Sequence, residues 1–493
     1  MNDFWAGVAI AFQNFEAKYG TAVYILFFSF LLLILIVALV KTFRAGKRKG
    51  KRVNLRAVLS NYEIREHAAD SLAHVIGFKT TAGKQGNIRN MLAFMTQTYK
   101  RVFAKAEVET VENGILYILR GKSPDKAPVL FCGHLDVVPA GKGWTFDAFT
   151  AQRINGKIYG RGANDGKGPI IAFLEAEERL LKEGFIPERD IYMAFGFDEE
   201  TEGSGAENIA ALLEQKGITF DLILDQGGYI AKKHMDNADY PAALIGVGER
   251  ESCFFRLKAE ASGGHSSMPG SVTAVGALSE AICRIEAVCD KLSVTPFAER
   301  FLKASLPAMS FKKRFVTANL PYTDRLLKWA FKNDPEAVAM MTSVLVPTQI
   351  SGSAAPNMLA NTAECVISAE LLPGENAKDM FEFLKKLLSD LPIEVTLQGG
   401  GRAMNLTSVS DPMYKLVCET VRERFNGVPC IAYLASGCSN AKHYTKLGDC
   451  IIRFSPIVME KVTALSAHGP YERISEESLA GASEVYERLL MKL

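Results

Sequence analysis

The stretch APVLFCGHLDVVPAGKGW, residues 127–144, decides how the rest of the sequence is interpreted. Its small and apolar residues at 128–132 predict a buried strand. The strand leads directly into His134 and Asp136 and then into a loop rich in proline and glycine. A lone His-x-Asp is also compatible with ordinary loop residues. The pair therefore indicates a functional site only if other strand ends carry similar groups.

Two further apolar runs, at residues 191–197 and 222–224, are predicted strands that end in the same way. In open parallel sheets, ligands bind at the carboxyl ends of the strands. We therefore expect the three strand ends to converge on one site. The acidic residues that follow the second and third runs are Asp198, Glu199, Glu200 and Asp225.

A further carboxylate, Asp165, lies in the glycine-rich loop YGRGANDGKGP, directly before a predicted helix at residues 169–183. Taken alone, such a residue is compatible with a helix-capping turn. Together with His134 and the carboxylates at the strand ends, it completes a set of nitrogen and oxygen donors suited to zinc or a similar divalent cation. The sequence therefore predicts a metal site at one edge of the sheet.

At 493 residues the chain is too long for one ordinary core. Alternating strand and helix patterns predict an α/β catalytic domain with a mostly parallel central sheet, formed by residues 58–245 and 405–493. The pattern changes between these two parts. Residues 246–404 are predicted to form an inserted α+β domain that acts as a lid, and their number suits a separate domain.

Residues 1–57 predict a membrane anchor followed by a basic linker. The segment TAVYILFFSFLLLILIVALV, residues 21–40, is uncharged and has the length that a helix needs to cross a hydrocarbon layer of about 30 Å. A cleaved signal peptide is the alternative, but Asp3, Glu16 and Lys18 stand where a signal peptide has a basic region. We therefore expect a single-pass transmembrane helix.

Eight lysines and arginines stand between residues 41 and 56, and no acidic residue occurs from residue 41 until Glu63. By the positive-inside rule this flank stays in the cytoplasm, so the catalytic domain is predicted to be cytoplasmic. The same residues are expected to lie on the anionic head groups of the lipid bilayer. The formal net charge of only +2 gives no indication of a nucleic-acid partner.

Five motifs, GHLDVVP, GRGANDGKG, DEETEGSG, GGHSSMPG and AHGPYERIS, occur in this order over about residues 60–493. They resemble the dinuclear zinc amidohydrolases and metallopeptidases that include carboxypeptidase S, aminoacylase and succinyl-diaminopimelate desuccinylase. The stretch TANLPYTDRLLKWAFKND favours the carboxypeptidase S branch, which includes fatty-acyl amino acid hydrolases. The resemblance implies a zinc-peptidase-like fold and a metal-dependent carboxypeptidase or N-acyl amino acid amidohydrolase, acting on small peptides or N-acyl amino acids.

The same resemblance implies two Zn²⁺ ions, for which Co²⁺ or Mn²⁺ could substitute. His134 and Asp225 would hold one ion, Glu200 and His468 would hold the other, and Asp165 would bridge them.

Three further residues have implied catalytic roles. Asp136 would orient His134 by contacting the side of the imidazole that faces away from the metal, and Glu199 would act as the general base. His265, in the insert, would donate to the oxyanion, often from a dimer partner, which implies a homodimer through the lid domain. From the sequence alone, a turn histidine is the alternative reading of His265.

The expected substrate-binding residues are Asn357, Lys442 and Arg473. The family commonly has Thr-Asp-x-Arg where this chain has Asn440 and Lys442, and arginine before Leu-Leu-Pro-Gly where this chain has Glu370. Lysine can pair with a substrate carboxylate as a point charge, but glutamate cannot. We therefore expect acidic substrates to be disfavoured.

Two classes of function remain after this comparison: a membrane-anchored di-zinc hydrolase, and an inactive relative that works as a binding or scaffold protein. The complete set of predicted ligands, together with Glu199, favours the enzyme. The apolar residues of 297–341 predict either ordinary lid core or a channel for long acyl chains.

Overall fold

The computed structural model describes residues 2–47, 55, 62–82, 84–236, 240–288, 295–399, 406–435 and 439–493. Part of the predicted basic linker lies outside these residues, namely Arg48, Lys49, Lys51, Arg52 and Arg56.

The helices of the described residues are α1 (Asn2–Lys47), α2 (Tyr62–Gly77), α3 (Gln85–Thr98), α4 (Lys100–Lys105), α5 (Lys167–Lys182), α6 (Ser204–Gln215), α7 (Ala274–Val288), α8 (Pro296–Ser305), α9 (Phe311–Ala318), α10 (Leu327–Phe331), α11 (Pro335–Ala339), α12 (Ala377–Leu387), α13 (Pro412–Arg424), α14 (Lys461–Ala464) and α15 (Glu476–Lys492). Short 3₁₀ turns occupy Leu306–Ala308, Asp324–Leu326 and Asn440–Tyr444.

The strands are β1 (Glu107–Val111), β2 (Gly114–Leu119), β3 (Val129–His134), β4 (Gln152–Ile154), β5 (Lys157–Tyr159), β6 (Ile191–Gly196), β7 (Leu222–Asp225), β8 (Tyr229–Ala231), β9 (Ala242–Glu249), β10 (Glu251–Glu260), β11 (Gly264–His265), β12 (Val344–Ser351), β13 (Met358–Leu359), β14 (Thr362–Leu371), β15 (Ile393–Gln398), β16 (Cys430–Ala435), β17 (Ile451–Arg453), β18 (Val458–Met459) and β19 (Arg473–Ser475).

The central sheet is mixed and has the strand order β1-β2-β6-β3-β7-β17-β9-β8-β18, with β16 paired to β9. Its middle strands β6, β3, β7 and β17 run parallel to one another, as predicted, while β1, β2 and β9 add antiparallel pairs. The strands β3, β6 and β7 are buried along their whole length, which explains why their sequences are continuous apolar runs. Their carboxyl ends meet at one edge of the sheet.

A smaller antiparallel sheet has the order β12-β14-β10-β15. Helices α7 and α12 contribute to a hydrophobic core of its own, and β10 and β14 alternate between buried and more exposed residues because only one face of the sheet is covered. The chain passes from the central sheet to this one at Arg250, between β9 and β10. That this unit acts as a lid, and the division into domains, stay predictions.

Helices α8 to α11 lie between strands of the smaller sheet in the sequence but pack elsewhere. Phe297, Phe301, Val316 and Phe331 are buried in the main core, which they share with the central sheet. The prediction that this segment belongs to the insert differs from the structure in this respect, because an apolar helical stripe shows that a core exists without showing which core it joins. These buried side chains account for much of its apolar content.

Helix α1 is continuous over 46 residues. Its part from Tyr24 to Gly46 is long and apolar enough to cross a membrane, and only 6% of its apolar window is buried. A signal sequence near the N-terminus would satisfy the same test. The helix therefore has the length and exposure that the predicted span requires.

Candidate metal centre

His134, the last residue of β3, lies at the centre of the carboxyl edge. Its Nε2 atom is 3.3 Å from Asp165 Oδ1 and 3.9 Å from Glu199 Oε2. The side chains of His134, Glu199 and Glu200 each offer one donor atom, and these atoms lie within 4.8 Å of one another. The predicted convergence of β3 and the loop after β6 is therefore confirmed.

A second donor group consists of Asp165, Glu200 and His468, whose donor atoms also lie within 4.8 Å of one another. His468 Nε2 is 3.1 Å from Asp165 Oδ2 and 3.1 Å from Glu200 Oε2. The two oxygens of Asp165 thus face two different imidazoles, those of His134 and His468. The sequence resemblance assigns a bridging carboxylate to this position, and the bridging itself stays a prediction.

The donor set fits a divalent cation. Imidazole nitrogens and carboxylate oxygens are ligands that zinc prefers in proteins. The carboxylates also favour positive charge at the site, because hydrogen bonds with Asp165 and Glu200 raise the pKa of His468 to about 10. Burial raises the pKa of Asp165, but hydrogen bonds with His134 and His468 outweigh this effect and lower it overall.

Asp136 connects the two sides of the site. Its side chain is buried and accepts hydrogen bonds from the backbone amides of Glu199 at 3.2 Å and Glu200 at 2.9 Å. The same carboxylate lies 3.5 Å from His134 Nδ1, whose nearest partner is the backbone carbonyl of Asp136 at 3.1 Å. Asp136 therefore positions both His134 and the turn that carries the two glutamates.

Asp225 lies outside both donor groups. Its Oδ1 atom accepts a hydrogen bond from the backbone amide of Gln226 at 2.8 Å, and Oδ2 accepts one from Ala441 at 2.7 Å. Burial raises its pKa to about 6, and the nearby Glu249 acts in the same direction. The assignment of Asp225 as a zinc ligand stays a prediction.

Glu199 has the environment that a general base requires. Burial raises its pKa to about 7, His134 lowers it, and Glu200 and Asp165 raise it. A carboxyl group with a pKa near neutrality can both accept a proton and return it. A cation held by its neighbours would lower this pKa and keep Glu199 ionised at neutral pH.

A buried ion pair, which the sequence motifs do not predict, holds two loops of the site. Arg161 Nη1 donates to Glu472 Oε2 at 2.6 Å, and Arg161 Nη2 donates to the backbone carbonyl of His468 at 2.9 Å. Glu472 Oε1 accepts from the amides of Asn164 at 2.9 Å and Asp165 at 3.1 Å. The pair therefore fixes the loop of Asp165 and the segment of His468 together.

The backbone at His468 explains why this support matters. His468 has φ of 61° and Tyr471 has φ of 69°, values that non-glycine residues adopt rarely and at an energetic cost. The hydrogen bond from Arg161 to the His468 carbonyl stabilises the backbone in this conformation. The residues Arg161 and Glu472 belong to the motifs GRGANDGKG and AHGPYERIS, but no spacing rule predicts that they pair.

We expect Glu472→Gln to weaken metal binding by about 10- to 100-fold, the range typical of residues that support metal ligands. Because Arg161 would remain buried with a neutral partner, stability should also fall by about 3 kcal/mol. Metal titration and thermal unfolding measure the two effects.

Glu476→Gln is the matched control for this substitution, since Arg153, the partner of Glu476, keeps Glu66 and Asp70, and within the described residues no side-chain hydrogen bond or ion pair joins Glu476 to either loop. It should change stability by less than about 1 kcal/mol. Unchanged metal affinity in Glu472→Gln would contradict the positioning role.

His265 and Asn357 lie together in the smaller unit. Both line one surface cavity, and the amide of Ser266 donates to the carbonyl of Asn357 at 3.0 Å. Within the part of the chain that the structure describes, no hydrogen bond or ion pair joins them to the two donor groups. Their catalytic and substrate-binding roles, and the homodimer that would bring His265 to a site, stay predictions.

The other predicted substrate residues have different surroundings. Lys442 lies beside the glutamate turn, since a Cβ atom on Gly203 would be 3.9 Å from Lys442 Nζ. Arg473 follows Glu472 and donates to the carbonyl of Tyr471 at 3.0 Å. Glu370 lies on β14 of the smaller sheet, where it accepts a hydrogen bond from the hydroxyl of Ser252.

Comparison with known proteins gives a family match over most of the chain. The sequence pattern described as peptidase family M20/M25/M40 matches residues 130–492. The chain is 27% identical to the human N-fatty-acyl-amino acid synthase/hydrolase PM20D1 over 455 residues, which cover 88% of this chain and 89% of that protein. It is also 27% identical to the probable carboxypeptidase S-like 2 of Dictyostelium discoideum, with 80% and 78% covered.

Two solved structures share the fold. Human carnosine dipeptidase 1 matches with a TM-score of 0.61 and 17% identity, covering 87% of this chain and 97% of that one. An M20 family metallo-carboxypeptidase from Sulfolobus solfataricus matches with a TM-score of 0.62 and 18% identity, covering 86% and 98%. At these identities the likeness concerns the fold.

Proposed function

Because this chain belongs to the peptidase family M20/M25/M40, we propose that it is a membrane-anchored di-zinc hydrolase that cleaves the amide bond of N-acyl amino acids or small peptides. One observation carries the proposal: Asp165 lies between His134 and His468, and Glu199 lies beside them. The alternative of an inactive scaffold gives no reason for a carboxyl group with a near-neutral pKa among the metal-donor side chains.

The proposed ligands of the two ions are His134, Asp165, Glu200, Asp225 and His468. When bound, zinc would polarise the scissile carbonyl and lower the pKa of the attacking water. Glu199 would take the proton from this water and return it to the leaving amine. Asp136 would keep Glu199 in place through its backbone amide.

Elemental analysis together with turnover of a panel of N-acyl amino acids tests this function. Two equivalents of zinc per chain and hydrolysis are expected. A metal-loaded protein without any turnover would favour the scaffold, and a single equivalent would contradict the di-zinc centre.

For the substrate we propose long-chain N-acyl amino acids. The relatives named N-fatty-acyl-amino acid synthase/hydrolases support this class, and so does an anchor that would hold the enzyme at a lipid surface. The alternative of a channel through residues 297–341 is weakened because Phe297, Phe301 and Phe331 are buried in the main core. Any acyl site would therefore lie elsewhere.

We expect kcat/KM to rise with acyl-chain length, by up to about fourfold per methylene if each buried methylene contributes about 0.8 kcal/mol. Substrates that release aspartate or glutamate should have the lowest kcat/KM. If Glu370 faces the substrate, Glu370→Arg should partly relieve this bias. Kinetics on a panel that varies chain length and amino acid separately measure both effects.

Glu382→Arg, a charge reversal at an exposed position of α12 in the same unit, is the matched control and should leave the ranking unchanged. If the wild type cleaved short acidic substrates best, the proposed substrate class would be contradicted, and the metal mechanism would be unaffected.

For the topology we propose that the catalytic body faces the cytoplasm. Lys41 and Arg44 stand at the end of the apolar stretch in α1, and the other basic residues of the linker continue the positive flank. A reporter fused after Leu493 that is active only outside the cytoplasm would contradict this orientation.

A further inference from the structure

Helix α1 contacts the folded body close to its C-terminal end. Thr42 is fully buried there, and Asn319, at the end of α9, is also buried. The side-chain amide of Asn319 lies 3.3 Å from Thr42 Oγ1 and 3.4 Å from the carbonyl oxygen of Ala38. Two polar side chains thus pair in a buried contact between the two helices.

Two further contacts extend this junction along α1. The rings of Phe43 and Phe311 are 5.6 Å apart between centroids. The guanidinium of Arg314 packs closely against Gly46, so a side chain at this position would require Arg314 to move. The end of α1, residues 38–46, therefore packs directly against α9.

The segment that receives α1 has two faces, and we call residues 311–332 the juxtamembrane platform. Its inner face joins the main core through Val316, Leu327 and Phe331, all 1% exposed or less. Its outer face carries large apolar and aromatic side chains in contact with solvent. These are Phe311 at 48% exposure, Tyr322 at 89%, Leu326 at 42% and Trp329 at 54%.

The platform contains six lysines and arginines and one acid, Asp324; of the six, Lys313 is paired with Asp236 and Asp334 and adds no free charge. Lys312 Nζ lies 3.8 Å from the centroid of the Trp329 ring, and Arg325 and Lys332 are exposed. Tryptophan and tyrosine beside lysine and arginine are the composition found where proteins meet the head-group layer of a membrane.

The position of the platform along α1 agrees with this composition. If residues 21–40 cross the hydrocarbon layer, its edge falls near residue 40. Thr42 and Gly46 then lie about 3–9 Å beyond that edge, at 1.5 Å per residue. The head-group layer is about 5–7 Å thick on each side, so Thr42 lies within it and the junction with the platform extends across it.

We propose that the juxtamembrane platform is a second membrane-contacting element, which lies in the head-group layer of an anionic bilayer. Tyr322, Leu326 and Trp329 would insert at the boundary of the acyl chains, and Arg325 and Lys332 would face lipid phosphates. This proposal rests on the single-pass anchor proposed above. Single exposed apolar residues are common on soluble proteins and need no explanation. Four such residues on one basic segment, beside the end of an apolar span, indicate a contact surface.

Tryptophan quenching in vesicles tests the platform. The full chain is reconstituted into phosphatidylcholine vesicles with about a quarter phosphatidylglycerol, with or without bromine atoms on the acyl chains near the head groups. The chain has three tryptophans, so the emission of Trp329 is obtained by subtracting the spectrum of Trp329→Phe. Brominated lipid should reduce this component by about half or more, as expected for a ring at the interface.

The matched control moves the tryptophan away from the platform. Phe383 on α12 is 45% exposed, close to the exposure of Trp329, so Phe383→Trp is added to Trp329→Phe. Its emission should be unaffected by brominated lipid. Absence of quenching at Trp329, or equal quenching at both positions, would overturn the platform.

Carbonate extraction of the same vesicles separates this result from the anchor. A chain that resists extraction but shows no quenching of Trp329 keeps the anchor and overturns the platform. A chain that is extracted, yet shows quenching of Trp329 when mixed with vesicles, contradicts the anchor and supports the platform as a peripheral contact. Extraction without quenching overturns both.

Discussion

Glu199→Gln is expected to lower kcat by a factor of about 10²–10⁴ while the metal content stays at the wild-type level. The substitution preserves the shape of the side chain but removes the group that accepts a proton. The backbone amide of Glu199 would still donate to Asp136, so the turn that carries Glu200 should keep its conformation. Turnover and elemental analysis on the same preparation measure the two quantities.

The pH dependence gives this prediction a second readout. Glu199 must be ionised to act as a base, and protonation should therefore reduce the wild-type rate as the pH falls through its pKa in the metal-loaded enzyme. Burial favours the protonated form, and bound cations favour the ionised form. The residual activity of Glu199→Gln should lack this acidic limb.

Glu202→Gln is the matched control, because Glu202 lies in the same loop but is exposed and belongs to neither donor group. It should retain the rate and pH profile of the wild type. Wild-type turnover in Glu199→Gln would exclude Glu199 as the base, and loss of metal would show that it supports the site instead.

The central part of the fold was predictable because the sequence marks both its strands and the functional residues that follow them. The runs that became β3, β6 and β7 are apolar throughout and are followed at once by histidine or acidic residues. A strand buried on both faces and a site at its carboxyl end leave these two signals next to each other in the sequence. The position of His134 beside Glu199 follows from the same logic.

Long-range polar contacts were not predictable in this way. Arg161 and Glu472 are separated by 311 positions, and each stands in a loop where a charged residue is ordinary. Thr42 and Asn319 form the buried junction between α1 and α9, although neither residue type predicts burial. Such pairs depend on which elements meet in three dimensions, and hydrophobic periodicity does not determine that.

His468→Ala is expected to reduce metal occupancy and, with it, turnover. The loss of metal affinity should exceed the 10- to 100-fold that is typical when a residue supporting a metal ligand is replaced. The imidazole is the only nitrogen donor in its group with Asp165 and Glu200. Its loss leaves two carboxylates that repel each other when ionised, so the remaining site is both a poorer ligand set and less stable without a cation. After chelation and dialysis, zinc that fully restores the wild type should fail to restore His468→Ala.

The left-handed backbone at position 468 requires a second variant, because an alanine there could act by relaxing the loop. His468→Asn also removes the imidazole, but asparagine tolerates a φ of 61° better than alanine does. A similar loss of metal in both variants therefore assigns the effect to the missing ligand. Tyr471→Ala, at φ of 69° and outside the donor groups, controls for backbone changes and should keep its metal. Full zinc content and wild-type turnover in both His468 variants would remove His468 from the metal centre.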